Sequence, residues 1–331
     1  MKKLLGLAIF TFPISYGVML NFASLARVEQ KQNSQAETQR FEPKITANIM
    51  AELASGGPAF QRNPISHPQD QGKFAALMQF AQKYQLSQRP FGEILQVIAD
   101  KFLGAEYKAG LLDESNKETL IINLAQFDCV LFVETVLAMA RGVAMQDYST
   151  QTFANHLQDQ RYRNGELNGY CSRLHYFSEW ISDNEKRGNV TNITANLGGF
   201  TVNKTLSFMS QHRQSYPKLM NNEAEYQCVV NMENSLKSLK FNYIPTNQIY
   251  QVYNQLQPGD IIAIATDIEG LDVTHTGLVY RTGNEVGLIH ASPNGVVKIS
   301  PDLETFVSQV RDSIGIIVAR PNDPRQRISG K

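Results

Sequence analysis

The sequence predicts an α+β fold with an antiparallel sheet, and three observations carry that prediction. Helical periodicity dominates the first two thirds of the chain, short β-branched segments follow Asp260, and one strongly apolar helix spans residues 127–142. Helices first and strands afterwards argue against a doubly wound parallel sheet.

Taken in order, the chain opens on Lys2 and Lys3, an apolar run from Leu4 to Leu20, and the small residues Ser24 and Ala26 around Leu25. This has the parts of an export signal over residues 1–26. Cleavage near Arg27 and retention as an N-terminal anchor both remain open. Residues 27–65 are rich in Gln, Asn, Ser and charge and read as a flexible linker. The folded unit is expected over 66–322, with a polar tail at 323–331.

Within that unit, Phe74, Leu77, Met78 and Phe80 predict a first helix. Phe91, Ile94, Leu95 and Ile98 predict a second, with Pro90 at its start. A glycine-bounded loop, 103–110, carries Tyr107. Further helices are expected around 153–157, 174–181, 206–209 and 223–238, with a short strand near Val190. Strands are expected at 261–265, 274–281, 286–292, 296–300 and 314–320, separated by Gly, Asn and Pro turns.

The hydrophobic share is 42%, ample for a core, and Lys plus Arg balance Asp plus Glu at 31 each. No electrostatic footprint points to nucleic acid, and no second segment is long and apolar enough to span a bilayer. The three cysteines, Cys129, Cys171 and Cys228, lack zinc-knuckle spacing. Their odd count fits one free thiol plus a Cys171–Cys228 bridge, or two unpaired structural cysteines beside Cys129; both stay open.

Cys129 lies in the first turn of the 127–142 helix, with Asp128 as N-cap and Gly142 as the expected stop. Unpaired N–H groups and the helix dipole there can lower a thiol from about 8.5 into roughly 3.5–7.5, making a thiolate nucleophile. A small apolar cysteine packed under a core helix is the commoner reading of such a window. Two of the six histidines, His275 and His290, fall in strands joined by a turn centred on Gly283-Asn284. That centre sets His290 opposite Gly277 and places both imidazoles on one face as diagonal neighbours about 7–8 Å apart. Gly277 leaves room for His290.

A cysteine at a helix N-terminus and two histidines on a sheet supply a nucleophile, a base and an orienter. Phe-Asp-Cys129, then His275-Thr-Gly-Leu-Val-Tyr, then Ile-His290-Ala-Ser resembles the NlpC-type papain-like cysteine peptidases of bacterial cell walls. The Leu-Gly-x-x-Tyr-x-x-Gly of 103–110 resembles their tyrosine loop. Asp-Cys-Val-x-Phe-Val-Glu134, residues 169–177 and residues 270–275 resemble the N-acetylmuramoyl-L-alanine amidase-like branch. Leu131 departs from the Thr expected there. The resemblance covers roughly residues 70–320.

The resemblance implies a papain-like core, the Cys-bearing helix packed on an antiparallel sheet with extra N-terminal and inserted helices. It implies amide hydrolysis through an acyl-enzyme, with Cys129 attacking, His275 as base and acid, and His290 fixing its tautomer. The Cys129 N–H and Tyr107 hydroxyl would stabilise the oxyanion. Arg173, His175 and Tyr176 are candidate contacts to a carboxylate-bearing muropeptide. Asp128 reads as a cap, Glu134 as a helix brace, and His67, His156 and His212 as surface residues. No cofactor or metal is implied.

The leading expectation is therefore an exported amidase cutting between N-acetylmuramic acid and L-alanine in peptidoglycan fragments. Its alternatives are a stem-peptide endopeptidase cutting D-glutamyl–diamino acid bonds and a catalytically idle cell-wall binding protein. The expected partner is peptidoglycan or a muropeptide, with no stable membrane insertion once the signal is removed; the sequence is silent on oligomeric state.

Overall fold

The structure, a computed structural model, describes residues 64–327 apart from Asn116 and Asn294. The expected signal and most of the linker lie outside the described residues. Ile65, assigned to the linker from sequence, is fully buried in the main core, and the Gln71 side chain donates to its carbonyl. At the other end, Arg325 of the expected polar tail donates to the carbonyls of Ser87 and Arg89.

Helices α1 (Pro68–Lys83) and α2 (Phe91–Asp100) lead the chain. In α2 the buried Phe91, Ile94, Leu95 and Ile98 recur at one helical face, as their spacing predicts. Two short strands, β1 (Glu106–Tyr107) and β2 (Gln126–Phe127), pair in parallel and bring Tyr107 beside the start of α3 (Cys129–Ala144). The Asp128 carboxylate accepts the Leu131 N–H at 2.8 Å, the N-cap that the sequence expects. Every residue of α3 from Leu131 to Ala144 is buried, so it is the central helix of the molecule.

Gly142 does not stop α3, which runs on to Ala144. The chain turns instead at Gln146, which takes the left-handed conformation at φ 58°. Gly142 serves close approach: a Cβ there would sit 2.8 Å from the Asp147 carbonyl oxygen.

Helices α4 (Thr150–Arg161) and α5 (Phe177–Lys186) pack around α3. After β3 (Val190–Asn192) and β4 (Phe200–Val202) comes a helical insert of α6 (Phe208–Gln211), α7 (Pro217–Met220) and α8 (Glu223–Ser235). It keeps a small core of its own, with Leu206, Phe208, Leu219 and Val229 packed against Tyr170 and Tyr176.

The rest is β5 (Phe241–Pro245), β6 (Ile261–Thr266), β7 (Val273–Thr282), β8 (Glu285–Ala291) and β9 (Val297–Ser300), then α9 (Leu303–Ser308) and β10 (Ser313–Pro321). The eight-stranded sheet runs β4-β5-β10-β6-β7-β8-β9, with β3 also on β10, and all its pairings are antiparallel. The five strands expected after Asp260 are all present. β4, β5 and the position of β10 inside the sheet were not legible.

Both sheet faces are covered. Ile261, Ala263, Leu278, Ile289 and Ala291 face the helices and join α1–α3 in the main core. Ile262, Ile264, Val279, Leu288 and Val318 face a second core closed by Leu303 and Val307 of α9. This is the α+β, papain-like arrangement that the resemblance implies. No helix among the described residues is long and apolar enough to cross a membrane.

Candidate functional site

The hairpin register is as expected. Leu278 pairs with Ile289 and Thr282 with Glu285 around the Gly283-Asn284 turn, and extending the ladder sets Gly277 against His290. A Cβ on Gly277 would lie 2.9 Å from the His290 Cβ and from Leu288 Cγ, so only glycine fits there without displacement. His275 Nε2 and His290 Nδ1 are 2.8 Å apart, with the rings edge to face at 88°.

His290 Nε2 continues the chain to Ser300 Oγ at 3.1 Å. Phe306 of α9 packs on both rings, at 4.5 Å from His290 and 6.0 Å from His275. Ser300, Phe306 and the nearby Lys298 escaped the sequence reading. The β8–β9 connection has no two-residue turn to fix a register, and an aromatic on a later helix gives no local signal.

His275 pairs with Ile264, and His290 lies two residues beyond Leu288, so both imidazoles share the sheet face of the second core. Helix α3 packs on the opposite face. Cys129 meets the sheet at Thr276, next in chain to His275, whose hydroxyl donates to the Cys129 carbonyl at 3.0 Å. Among the described residues, the hydrogen bonds of the two imidazoles run to each other and to Ser300. The expected sulfur–imidazole bond is not among them.

The electrostatics follow from burial. Burial, then the adjacent Asp128 carboxylate, push the Cys129 thiol up to about 12, against opposing hydrogen bonds from Thr276. The N-cap that starts the helix thus offsets the dipole effect expected on the sulfur. Asp128 is itself pushed up to about 6 by burial. Burial, with the Lys298 charge behind it, lowers His275 to about 4. Burial, then His275 and Lys298, lower His290 to about 2. Tyr107 stands close enough for Cys129 and Asp128 to reinforce burial in raising its phenol far above the usual range.

The remaining candidates are brought elsewhere. Arg173 is buried, bonded to Glu118, Asp113 and the Leu112 carbonyl, and lies over the Tyr170 ring. Two carboxylates already neutralise it, which leaves little attraction for a third. His175 Nε2 bonds the Tyr170 carbonyl at 3.0 Å. The Tyr176 hydroxyl donates to Glu233 at 2.7 Å and accepts the Met209 N–H, tying the insert down. Glu134 braces α3 as expected, accepting from Arg161 Nε at 2.7 Å and Trp180 Nε1 at 3.2 Å. Asp272 accepts the Ser178 N–H of α5 and the Val273 N–H, fixing the entry to β7.

The model of the family described as AmiA-like, N-acetylmuramoyl-L-alanine amidase-like, matches residues 97–316. The chain belongs to this family.

A solved N-acetylmuramoyl-L-alanine amidase from Bacteroides uniformis ATCC 8492 is 32% identical, with a TM-score of 0.67 over 70% of this chain and 99% of that one. A solved putative xylanase from Bacteroides fragilis is 34% identical, with a TM-score of 0.60 over 68% of this chain and 99% of that one. A Legionella pneumophila protein at 20% identity and TM-score 0.57, over 76% of this chain and 95% of that one, shares the fold. No curated protein matches.

Membership does not carry the expected activity with it, and the thiols correct that expectation. Cys171 and Cys228 are joined in a disulfide, so neither is available as a nucleophile, and the reading that leaves both unpaired is also corrected. Cys129 remains as the free cysteine. A thiolate–imidazolium pair needs the thiol to be the stronger acid. Here desolvation pushes the thiol up and His275 down, against that order, although Cys129 is only half-buried. Catalytic competence as a cysteine hydrolase is therefore not supported.

Proposed function

We propose that this chain is a cell-wall binding member of the amidase-like family that holds a peptidoglycan fragment without cutting it. The observation that carries this reading is the Cys171–Cys228 disulfide, which leaves Cys129 alone as a free thiol among the described residues; desolvation, which raises that thiol and lowers His275, supports it. A neutral thiol beside the Tyr107 hydroxyl can hydrogen-bond an amide, and the preformed thiolate–imidazolium pair expected of a cysteine hydrolase is not favoured here. Tyr107 and Cys129, at the start of α3, then form the recognition site, with the Tyr107 hydroxyl as a donor to a ligand carbonyl and the buried His275–His290 pair behind it in the sheet.

The ligand class, a muropeptide, comes from the family and from the similarity to the Bacteroides uniformis amidase. The export signal at 1–26 supports a place outside the cytoplasm, and the Cys171–Cys228 bridge fits an oxidising compartment. Titration of a defined muropeptide into wild type and Tyr107→Phe tests the site. Saturable binding weakened by the variant is expected; identical isotherms would remove Tyr107 from it.

A further inference from the structure

We propose that a groove beside α9 is a second binding site, for the glycan strand of the peptidoglycan fragment; the choice of glycan rests on the reading above. The groove encloses about 350 Å³ and is lined by Tyr250, Tyr253, Asn284, Glu285, Val286 and Asp302, among others. That volume falls within the range of about 300–1,000 Å³ usual for small-molecule sites. Tyr250 is 70% exposed, the most open of the large apolar side chains among the described residues.

Both tyrosines are anchored to α9. The Tyr253 hydroxyl donates to Asp302 at 2.9 Å and accepts the Glu304 N–H at 2.7 Å, and the Tyr250 N–H donates to Glu304 at 2.8 Å. Their ring centroids are 5.2 Å apart with the planes tilted by 56°. Exposed aromatic faces on a fixed backbone contact a ligand at low entropic cost. The lining contains no Lys or Arg, and its side-chain polar groups are two carboxylates, an amide and the tyrosine hydroxyls.

Such a wall rejects anions and suits a ligand with apolar C–H faces and many O–H and N–H donors. A neutral N-acetylated sugar has both. The tilted rings form an open platform, and Asp302 is already bonded to Tyr253 and to the α9 N-terminus through Thr305. That favours a sugar over a cation held in a closed aromatic cage. Helix α9 also joins the groove to the histidine pair: its first turn holds the tyrosines, and Phe306 packs on His275 and His290.

The test is titration of tetra-N-acetylchitotetraose, which carries no peptide, into the full chain, with calorimetry and tyrosine fluorescence as readouts. Saturable binding is expected, weakened at least tenfold by Tyr250→Ala. The exposed Tyr84→Ala serves as control and should leave it unchanged. Both substituted side chains are largely exposed, and a thermal melt checks folding. A glycan-free stem peptide should bind wild type and Tyr250→Ala alike, so failure at the groove is distinguished from failure of the muropeptide reading. No saturable chitotetraose binding, equal binding by Tyr250→Ala, or displacement of the sugar by trilysine in favour of a cation would overturn the proposal.

Discussion

His275 Nε2 and His290 Nδ1 share one hydrogen bond of 2.8 Å, and His290 Nε2 passes it on to Ser300 Oγ. The Ser300 hydroxyl can donate or accept, so the proton on the chain lies in one of two patterns. When Ser300 accepts, His290 donates to it, His275 donates to His290, and His275 Nδ1 is left as an acceptor. When Ser300 donates, the sense reverses and Nδ1 carries a proton. Either way both rings are neutral and buried, which organises a rigid polar edge and supplies no cation for a nearby thiolate.

The first prediction concerns that thiol. At pH 8 a thiol of about 12 has a thiolate fraction near one in ten thousand, whereas an ordinary cysteine at about 8.5 has roughly a quarter. Iodoacetamide labelling of Cys129, read peptide by peptide, should stay slow below pH 9. Asp128→Asn should speed it, because one of the two causes of the rise is then gone. Rapid labelling at pH 6–7 would contradict the neutral site.

A second prediction follows from the desolvated titratable groups of opposite sign, the buried His275 and His290 and the half-buried Asp128. His275 is lowered from 6.5 to about 4, so its contribution is present above pH 6.5 and lost as pH falls towards 4, on the order of 3 kcal/mol. His290 acts in the same sense, over a window extending to lower pH. Asp128 is raised from 3.8 to about 6, so its contribution is present below 3.8 and lost as pH rises through 6. The two effects oppose each other between pH 4 and 6. Urea unfolding at pH 7, 5.5 and 4.5 should show a steeper acid loss in Asp128→Asn and a shallower one in His290→Asn. Parallel curves for wild type and both variants would refute the assignment.

Glu134 and Arg161 form an almost fully buried ion pair under the Cys129 helix, joined at 2.7 Å. Removing one partner leaves a buried charge alone, so Glu134→Gln should cost about 3–5 kcal/mol in denaturant unfolding. The double change Glu134→Leu with Arg161→Met should cost much less than the sum of the single changes, because no charge is stranded. Simple additivity would show that the pair is not coupled.

The legible parts of this fold were those set by local chemistry. Asp128 reads as a cap from its own neighbours, and the Gly283-Asn284 turn fixes the register that brings His275 to His290. Glu134 reads as a brace from its place one and a half turns along an apolar helix. What was lost depends on partners distant in sequence. Arg173 looks like a free cation until Glu118 and Asp113 close on it, 55 and 60 residues earlier in the chain. At Cys129 the helix dipole is a local signal, whereas desolvation, the larger influence on its thiol, comes from the whole fold. Gly142 reads as a stop, but its carbonyl and its bare Cα serve the Asp147 turn.

The most direct test of the central claim is incubation of the full chain with a defined N-acetylmuramoyl-peptide at neutral pH, followed by calorimetry and mass spectrometry of the same sample. The account predicts saturable binding and an unchanged ligand mass after prolonged incubation, with weaker binding by Cys129→Ala. Release of the stem peptide or of one of its fragments by wild type, abolished in Cys129→Ala, would contradict it and restore Cys129 as a nucleophile.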